Sequence, residues 1–155
     1  MRIKWFSLIR ITGLLLVLLY HFFQTIFPGG FFGVDVFFTF SGFLITSLLL
    51  EEFGKKSQID LLGFFKRRFY RIVPPVVLMV LVTMPFTFLV RQDYVAGIGG
   101  QIAGVLGFMT NFYEMLTGGS YESQFIPHLF VHNWSLAVEV HYYILWGLAV
   151  WFLSK

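Results

Sequence analysis

The first candidate for chemistry is His21, an ionisable side chain inside an apolar stretch of the chain. Ionisable groups within membrane-length segments are costly and rarely face lipid, so each is a functional candidate. Arg10 precedes His21 by eleven residues, and about 1,100° of helical rotation returns it to nearly the same face. An imidazole there can take a proton from an attacking hydroxyl, and an arginine can bind an anion. The alternative is a structural histidine with Arg10 as an orientation marker.

A second polar stripe begins at Asp35. Its members share one face of a helix and are Asp35, Thr39, Gly42 and Thr46. Such a stripe favours close packing or the lining of a cavity. Asp35 and His21 flank the same short turn at 28–30, so a carboxylate that orients the imidazole is feasible. Alternatively, Asp35 lies near water at the start of its helix.

A basic cluster follows the second apolar segment. Its members are Lys66, Arg67, Arg68 and Arg71. Their spacing would place the guanidinium groups together on a helix, and guanidinium forks suit phosphate oxygens. The bound partner would be an anionic lipid head group or a nucleotide-like cofactor. Simple anchoring of the chain by positive charge is the alternative.

The last candidate is Glu139 in the final apolar segment. The residues on its helical face are Ser135, Tyr142, Tyr143 and Trp146. A carboxylate beside hydroxyls and aromatic rings fits a sugar pocket or an interhelical hydrogen bond, and the rings alone would fit an interfacial belt. His128, His132 and His141 have no convincing metal-ligand spacing with carboxylates, so no metal site is predicted.

Composition decides the class of protein that positions these residues. The chain has 155 residues, of which 57% are hydrophobic and 12% charged, whereas soluble domains carry about 25% charged residues. An integral membrane protein is therefore predicted. With no cysteine, disulfides, thiolate zinc sites and a cysteine acyl-enzyme are excluded. The net charge of +3 accompanies apolar runs, which favours an orientation signal over nucleic-acid binding.

The predicted fold is an all-α polytopic transmembrane bundle of four or five spans in one domain, residues 1–155. The predicted spans are 11–27, 31–50, 72–90, 95–112 and 135–153. The first span is expected to be retained, since it lacks a signal-peptide cleavage site. The fourth is rich in glycine and is either a full span, which its length favours, or re-entrant.

Positive charge sets the expected orientation. Of the eleven Lys and Arg residues, three precede the first span and six lie in the basic loop 51–71. The positive-inside rule places the N-terminus and that loop in the cytoplasm. The chain is thus expected to be a multi-pass protein of the plasma membrane.

Taken together, four segments resemble the N-terminal part of the acyltransferase-3 family of membrane acyltransferases, which includes peptidoglycan and O-antigen O-acetyltransferases. The segments are Arg10 with His21, the Gly-Val-Asp signature at 33–43, the Arg-x-x-Arg element of Arg68 and Arg71, and the Trp-Ser-Leu block from Trp134 through Glu139 to Tyr142 and Tyr143. Their order along nearly the whole chain makes the resemblance specific.

The resemblance implies transfer of an acyl group, usually acetyl, from cytoplasmic acyl-CoA to a hydroxyl of an extracytoplasmic glycan such as peptidoglycan. It implies catalytic roles for His21, Asp35 and Glu139, acyl-CoA binding by Arg10, Arg68 and Arg71, and acceptor binding by Ser41, Trp134 and Tyr142. No bound cofactor is expected, since acetyl-CoA acts as the donor substrate. The expected partners are membrane lipid, acyl-CoA and the carbohydrate acceptor, and no nucleic acid.

The chain departs from the family in its length. Family members resemble a bundle of about ten spans, each of which needs about 20 apolar residues, and this chain stops just after the fourth motif. Missing C-terminal spans or a partner chain are therefore expected. The alternatives are a truncated non-catalytic remnant, a partner subunit of such an enzyme, or a small anion or lipid carrier.

Overall fold

The computed structural model describes residues 4–89, 95–117 and 128–155. Within these ranges every regular element is helical, which confirms the all-α prediction. The α-helices are α1 (Lys4–Phe22), α2 (Gly33–Lys56), α3 (Leu61–Phe86), α4 (Ile98–Leu106), α5 (Thr110–Thr117) and α6 (Trp134–Leu153). Short 3₁₀ turns span Pro28–Phe32, Thr87–Leu89 and Val131–Asn133.

Three of the described helical segments are long and apolar enough to cross a membrane. They are Pro28–Lys56, Leu61–Leu89 and Val131–Leu153, and a shorter apolar helix spans Leu8–Phe22. The two longest have 29 residues each, about 43 Å of helix, against a hydrocarbon core of about 30 Å. The chain is therefore membrane-embedded, as a partial bundle of transmembrane helices.

Most of the predicted basic loop 51–71 is helical. Glu51 and Glu52 pair with the lysines four residues later, at 2.5 and 3.1 Å, and extend α2 to Lys56. Ser57 ends α2 in a left-handed conformation with φ of 53°, and the carboxylate of Asp60 caps α3 by accepting from the Gly63 amide at 2.9 Å. The connection is thus residues 57–60.

The helix that contains the third predicted span, 72–90, begins before residue 72. Helix α3 starts at Leu61 and contains Pro74, Pro75 and Pro85 in its interior. Prolines in membrane helices are tolerated because neighbouring groups satisfy the freed carbonyls. The Asp60 cap, and not the proline pair, therefore marks where this helix begins.

The glycine-rich segment 95–112, predicted as a full span or a re-entrant segment, is not one continuous helix. The chain turns after Gly107, and Phe108 adopts a positive φ of 54°, a conformation that ends helices. Helices α4 and α5 have nine and eight residues, about 14 and 12 Å, too short to cross a membrane separately. The two helices pack closely against each other. A Cβ atom added at Gly104 of α4 would lie 3.4 Å from the Cβ atom of Tyr113 in α5.

The described residues form two compact units, with the boundary between Ile59 and Asp60 and the last two residues set aside. In the first unit, α1 and α2 approach closely through glycines. A Cβ atom at Gly33 would collide with the Gly13 carbonyl oxygen and lie 2.8 Å from Val17. Gly30, three residues earlier, meets Tyr20, which is later in α1 than Val17. The two helices therefore run in opposite directions.

In the second unit, a small apolar core joins α3 and α4 to the start of α6. Its buried members are Val76, Val80, Val105 and Phe130, with Leu136 packed against them. At the other end of α3, Phe64 lies against Gly147 of α6. The N-terminal end of α6 therefore lies beside the C-terminal half of α3, and the two helices are antiparallel.

Candidate functional site

His21 lies in the last turn of α1 with an exposed side chain. Its Nδ1 lies 2.8 Å from the carbonyl oxygen of Val17. Because a carbonyl only accepts, Nδ1 carries the hydrogen, and in the neutral ring Nε2 has the lone pair. Tyr20 packs edge-on against the ring at 5.7 Å. The backbone of α1 thus fixes which nitrogen can act as a base or nucleophile.

Arg10 and His21 lie on the same helix, as their spacing predicted. Eleven residues separate them by about 16 Å along the helix axis. Arg10 is half-buried, whereas His21 is exposed. Helix α1 therefore carries a fixed positive charge towards one end and an imidazole at the other.

Asp35 is exposed in the first turn of α2. Within the described residues it makes no hydrogen bond to His21, whose Nδ1 is held by Val17. The register of the helix pair explains this, because Gly33 already lies beside Gly13 and Val17, and the chain runs away from His21 after that point. The helix dipole favours the carboxylate at this position. The catalytic role of Asp35 stays a prediction.

Ser41 occupies a buried position in α2, with 6% of its surface exposed. Ile45 and Leu49 are buried on the same face, four and eight residues further on. This places Ser41 in the interior of the first unit. Its assignment to acceptor binding also stays a prediction.

In the second unit, Glu139, Tyr143 and Arg68 form a connected group. The Tyr143 hydroxyl donates to the Glu139 carboxylate in a short hydrogen bond. The Arg68 guanidinium lies over the Tyr143 ring, 5.6 Å from its centroid, within the range of a cation–π contact. Tyr143 is buried at 7% exposure, so the group is held in place by α3 and α6 together.

An apolar cavity of about 800 Å³ lies beside this group. Arg68 and Tyr143 line it together with Lys66, while the rest of the lining is apolar. Such a cavity with a few charged groups is typical of small-molecule sites. The cavity therefore presents the positive charges of Arg68 and Lys66 beside an apolar wall.

The remaining predicted residues lie in α3 and α6 with different surroundings. Arg71 is exposed, whereas Arg68 is half-buried, so the two arginines of the element are not equivalent. Tyr142 stacks on Trp146 at 5.9 Å with the rings 14° apart. Trp134 is half-buried at the first position of α6. Tyr142 therefore contributes to an aromatic pair and Trp134 to the start of the helix.

Tyr143 has no assigned role in the predicted site, although it lies on the helical face of Glu139. Tyr142 and Tyr143 both lie within one turn of Glu139, at three and four residues. The structure joins Glu139 to Tyr143. Within the described ranges no group of three histidine and carboxylate side chains could hold a metal ion.

Comparison with known proteins places the chain. The model of the acyltransferase-3 family, described as an acyltransferase domain, matches residues 3–155. The chain belongs to this family. The predicted resemblance is thereby confirmed, and it covers nearly the whole sequence.

Two relatives from Staphylococcus aureus illustrate the similarity. O-acetyltransferase OatA of strain NCTC 8325 is 34% identical over 145 residues, 94% of this chain and 24% of that protein. A second protein, from strain COL and provisionally named an O-acetyltransferase, is 35% identical over 136 residues, 88% of this chain and 22% of that protein. The acyltransferase-3 chain thus spans about a quarter of the length of these curated relatives. No solved structure matches it.

Proposed function

We propose that this acyltransferase-3 chain is part of a membrane O-acetyltransferase. It would move an acetyl group from cytoplasmic acetyl-CoA to a hydroxyl of an extracytoplasmic glycan, with peptidoglycan as the preferred acceptor. In the reaction an oxygen–carbon bond forms at the acetyl carbonyl, the thioester carbon–sulfur bond breaks, and the hydroxyl proton ends on the departing thiol. Family membership and the O-acetyltransferase names of its relatives support this proposal.

The observation that carries the proposal is the fixed tautomer of His21. With Nδ1 donating to Val17, Nε2 is the nitrogen whose lone pair can react. It can accept the proton of the attacking hydroxyl, or it can take the acetyl group and pass it on. Both roles use the same nitrogen.

Donor binding is assigned to the arginines. Arg68 lines the cavity of the second unit, and a guanidinium there would bind a phosphate oxygen of CoA while the thin pantetheine arm follows the apolar lining. Arg71, on the same helix as Arg68, would add charge for the remaining phosphates. The role of Arg10 in acyl-CoA binding stays a prediction. Glu139, through Tyr143, would keep the aromatic wall of this cavity in place.

The orientation of the chain follows the positive-inside rule in this proposal. The N-terminus and the 57–60 connection lie in the cytoplasm with the basic turns beside them. Acetyl-CoA would thus meet the arginines from the cytoplasmic side. The 28–30 turn would lie on the opposite side of the membrane, near His21.

The test is His21→Ala in the full chain, expressed in cells whose own glycan acetylation has been deleted. We expect loss of glycan O-acetyl esters, measured as acetate released by mild base, at unchanged protein level in the membrane. His141→Ala is the matched control, since His141 packs on the Phe112 ring at 5.5 Å in another part of the chain. Normal ester content in the His21 variant would remove the basis of the proposal. If the wild-type chain adds no ester, the result favours the alternatives, which are a non-catalytic remnant, a partner subunit of such an enzyme, or a small anion or lipid carrier.

A further inference from the structure

A buried carboxylate–imidazole pair lies in the second unit, outside the four motif segments. Oε2 of Glu114, on α5, lies 2.8 Å from Nδ1 of His128. The side chain of Glu114 is 8% exposed and that of His128 is 19% exposed. The carboxylate is therefore on the inside of the pair, and the imidazole is the part that reaches the surface.

Burial of Glu114 fixes the tautomer of His128. A buried carboxylate requires a donor, and Oε1 of Glu114 has no hydrogen-bond partner among the described residues. Nδ1 of His128 is the donor that the described part of the chain supplies, so the hydrogen stays on that nitrogen. In the neutral ring Nε2 then has the lone pair and accepts hydrogen bonds.

The surroundings of the pair suit a hydroxyl-bearing ligand. The Tyr113 ring lies 5.5 Å from the His128 ring, at an angle of 48°. Thr110 Oγ1 and Asn111 Oδ1, on the same short helix as Glu114, are also buried without a partner in the described ranges. An oriented acceptor nitrogen beside an aromatic ring and polar side chains can recognise a sugar, whose hydroxyls donate and whose C–H face packs on rings.

We propose that Glu114 and His128 form a hydroxyl-binding subsite for a carbohydrate. Nε2 of His128 accepts a hydrogen bond from a sugar hydroxyl, and Glu114 is a positioning residue that holds the ring. The ligand class rests on the proposed function, in which a glycan is the acetyl acceptor. The subsite belongs to α5 and the segment before α6, and it is separate from the Arg68 cavity in its residues.

The experiment measures the affinity of the full chain, in lipid nanodiscs, for the N-acetylglucosamine tetramer by calorimetric titration. His128→Asn keeps a short amide donor for Glu114 and removes Nε2, so we expect affinity to fall at least tenfold, about the effect of one lost hydrogen bond. In Glu114→Gln the amide can donate to Nδ1, so the imidazole hydrogen can move to Nε2. This variant should therefore also weaken binding of the tetramer. His141→Asn, on α6, should leave affinity unchanged.

A second measurement avoids any variant. In the wild-type chain with ¹⁵N-labelled histidine, the Nε2 resonance of His128 should shift on addition of the tetramer. No binding by the wild type, affinity of His128→Asn within twofold of wild type, or an unmoved Nε2 resonance would each overturn the subsite.

Affinity for acetyl-CoA, measured in the same nanodiscs, separates this inference from the proposed function. We expect His128→Asn to bind acetyl-CoA as the wild type does. Absence of glycan acetylation by the wild-type chain, with tetramer binding intact, would count against the acetyl-transfer role alone. Normal acetylation by His128→Asn with unchanged tetramer affinity would count against the subsite alone.

Discussion

At the scale of residues, two imidazoles of this acyltransferase-3 chain are oriented by the group that accepts a hydrogen bond from Nδ1. Val17 holds His21 through a backbone carbonyl, whereas Glu114 holds His128 through a buried carboxylate. Both acceptors hold the hydrogen on Nδ1, so that in the neutral ring Nε2 has the lone pair. The two histidines differ in burial of that acceptor, since Val17 is a backbone group on the same helix and Glu114 is a buried side chain on α5.

Residue spacing predicted some of this arrangement and missed the rest. The eleven-residue step from Arg10 to His21 predicts a shared helix because it depends on helical geometry alone. The Asp35–His21 pair, which the sequence makes feasible, depends on the position of α2 along α1. Glycine contacts set that position, and periodicity does not encode it. Tyr142 and Tyr143 are both within one turn of Glu139, so only the side-chain packing of α6 against α3 distinguishes them.

A hydroxyl deletion at Tyr143 tests the group around Glu139. Tyr143→Phe removes the hydrogen bond to Glu139 and keeps the ring under Arg68. Loss of one buried hydrogen bond of about 1 to 1.5 kcal/mol should lower acetyl transfer about tenfold, measured as the rate of glycan ester formation in membranes. Tyr70→Phe on α3 is the matched control, since Tyr70 is exposed and its ring packs edge-on against Phe69. Equal rates for the two variants would argue against a role for the Tyr143 hydroxyl.

At the scale of elements, helix ends in this chain are set by local chemistry that hydropathy does not register. The lysine–glutamate pairs and the Asp60 cap carry α2 and α3 into the basic segment. Hydropathy treats the same charges as the end of a span. Within the first unit, the contact between α1 and α2 depends instead on the absence of side chains at Gly13, Gly30 and Gly33.

Gly33→Ala tests that helix contact. A methyl group there would meet the Gly13 carbonyl oxygen and the Val17 side chain, and such overpacking costs about 1–3 kcal/mol. We expect a lower midpoint of thermal unfolding in detergent, followed by circular dichroism. Gly54→Ala on the same helix α2 has nothing within 4 Å of the new atom, so it should leave the midpoint unchanged or raise it slightly. Equal midpoints for both variants would show that α1 and α2 are not held at this distance.

At the scale of the whole molecule, the antiparallel pair of α3 and α6 constrains the segment between them. If both helices cross the membrane, the end of α3 and the start of α6 lie at the same face. The chain between them must then leave and return at that face, and neither short helix of 95–117 is long enough to cross the membrane by itself. Hydropathy alone favoured a full crossing, because it counts apolar residues and does not detect the turn after Gly107.

Cysteine labelling decides between these topologies, and the chain has no cysteine of its own to remove. Thr117 and Gln58 are both exposed, so each can be replaced by cysteine with little disturbance. We expect Thr117→Cys to react with a membrane-impermeant maleimide added to intact cells, and Gln58→Cys to react only after the cells are opened. A full crossing by 95–117 would place both residues on the same side, because one more span lies between the end of α3 and Thr117. Labelling of both positions only in opened cells would therefore contradict the re-entrant arrangement while leaving the orientation of α3 unchanged.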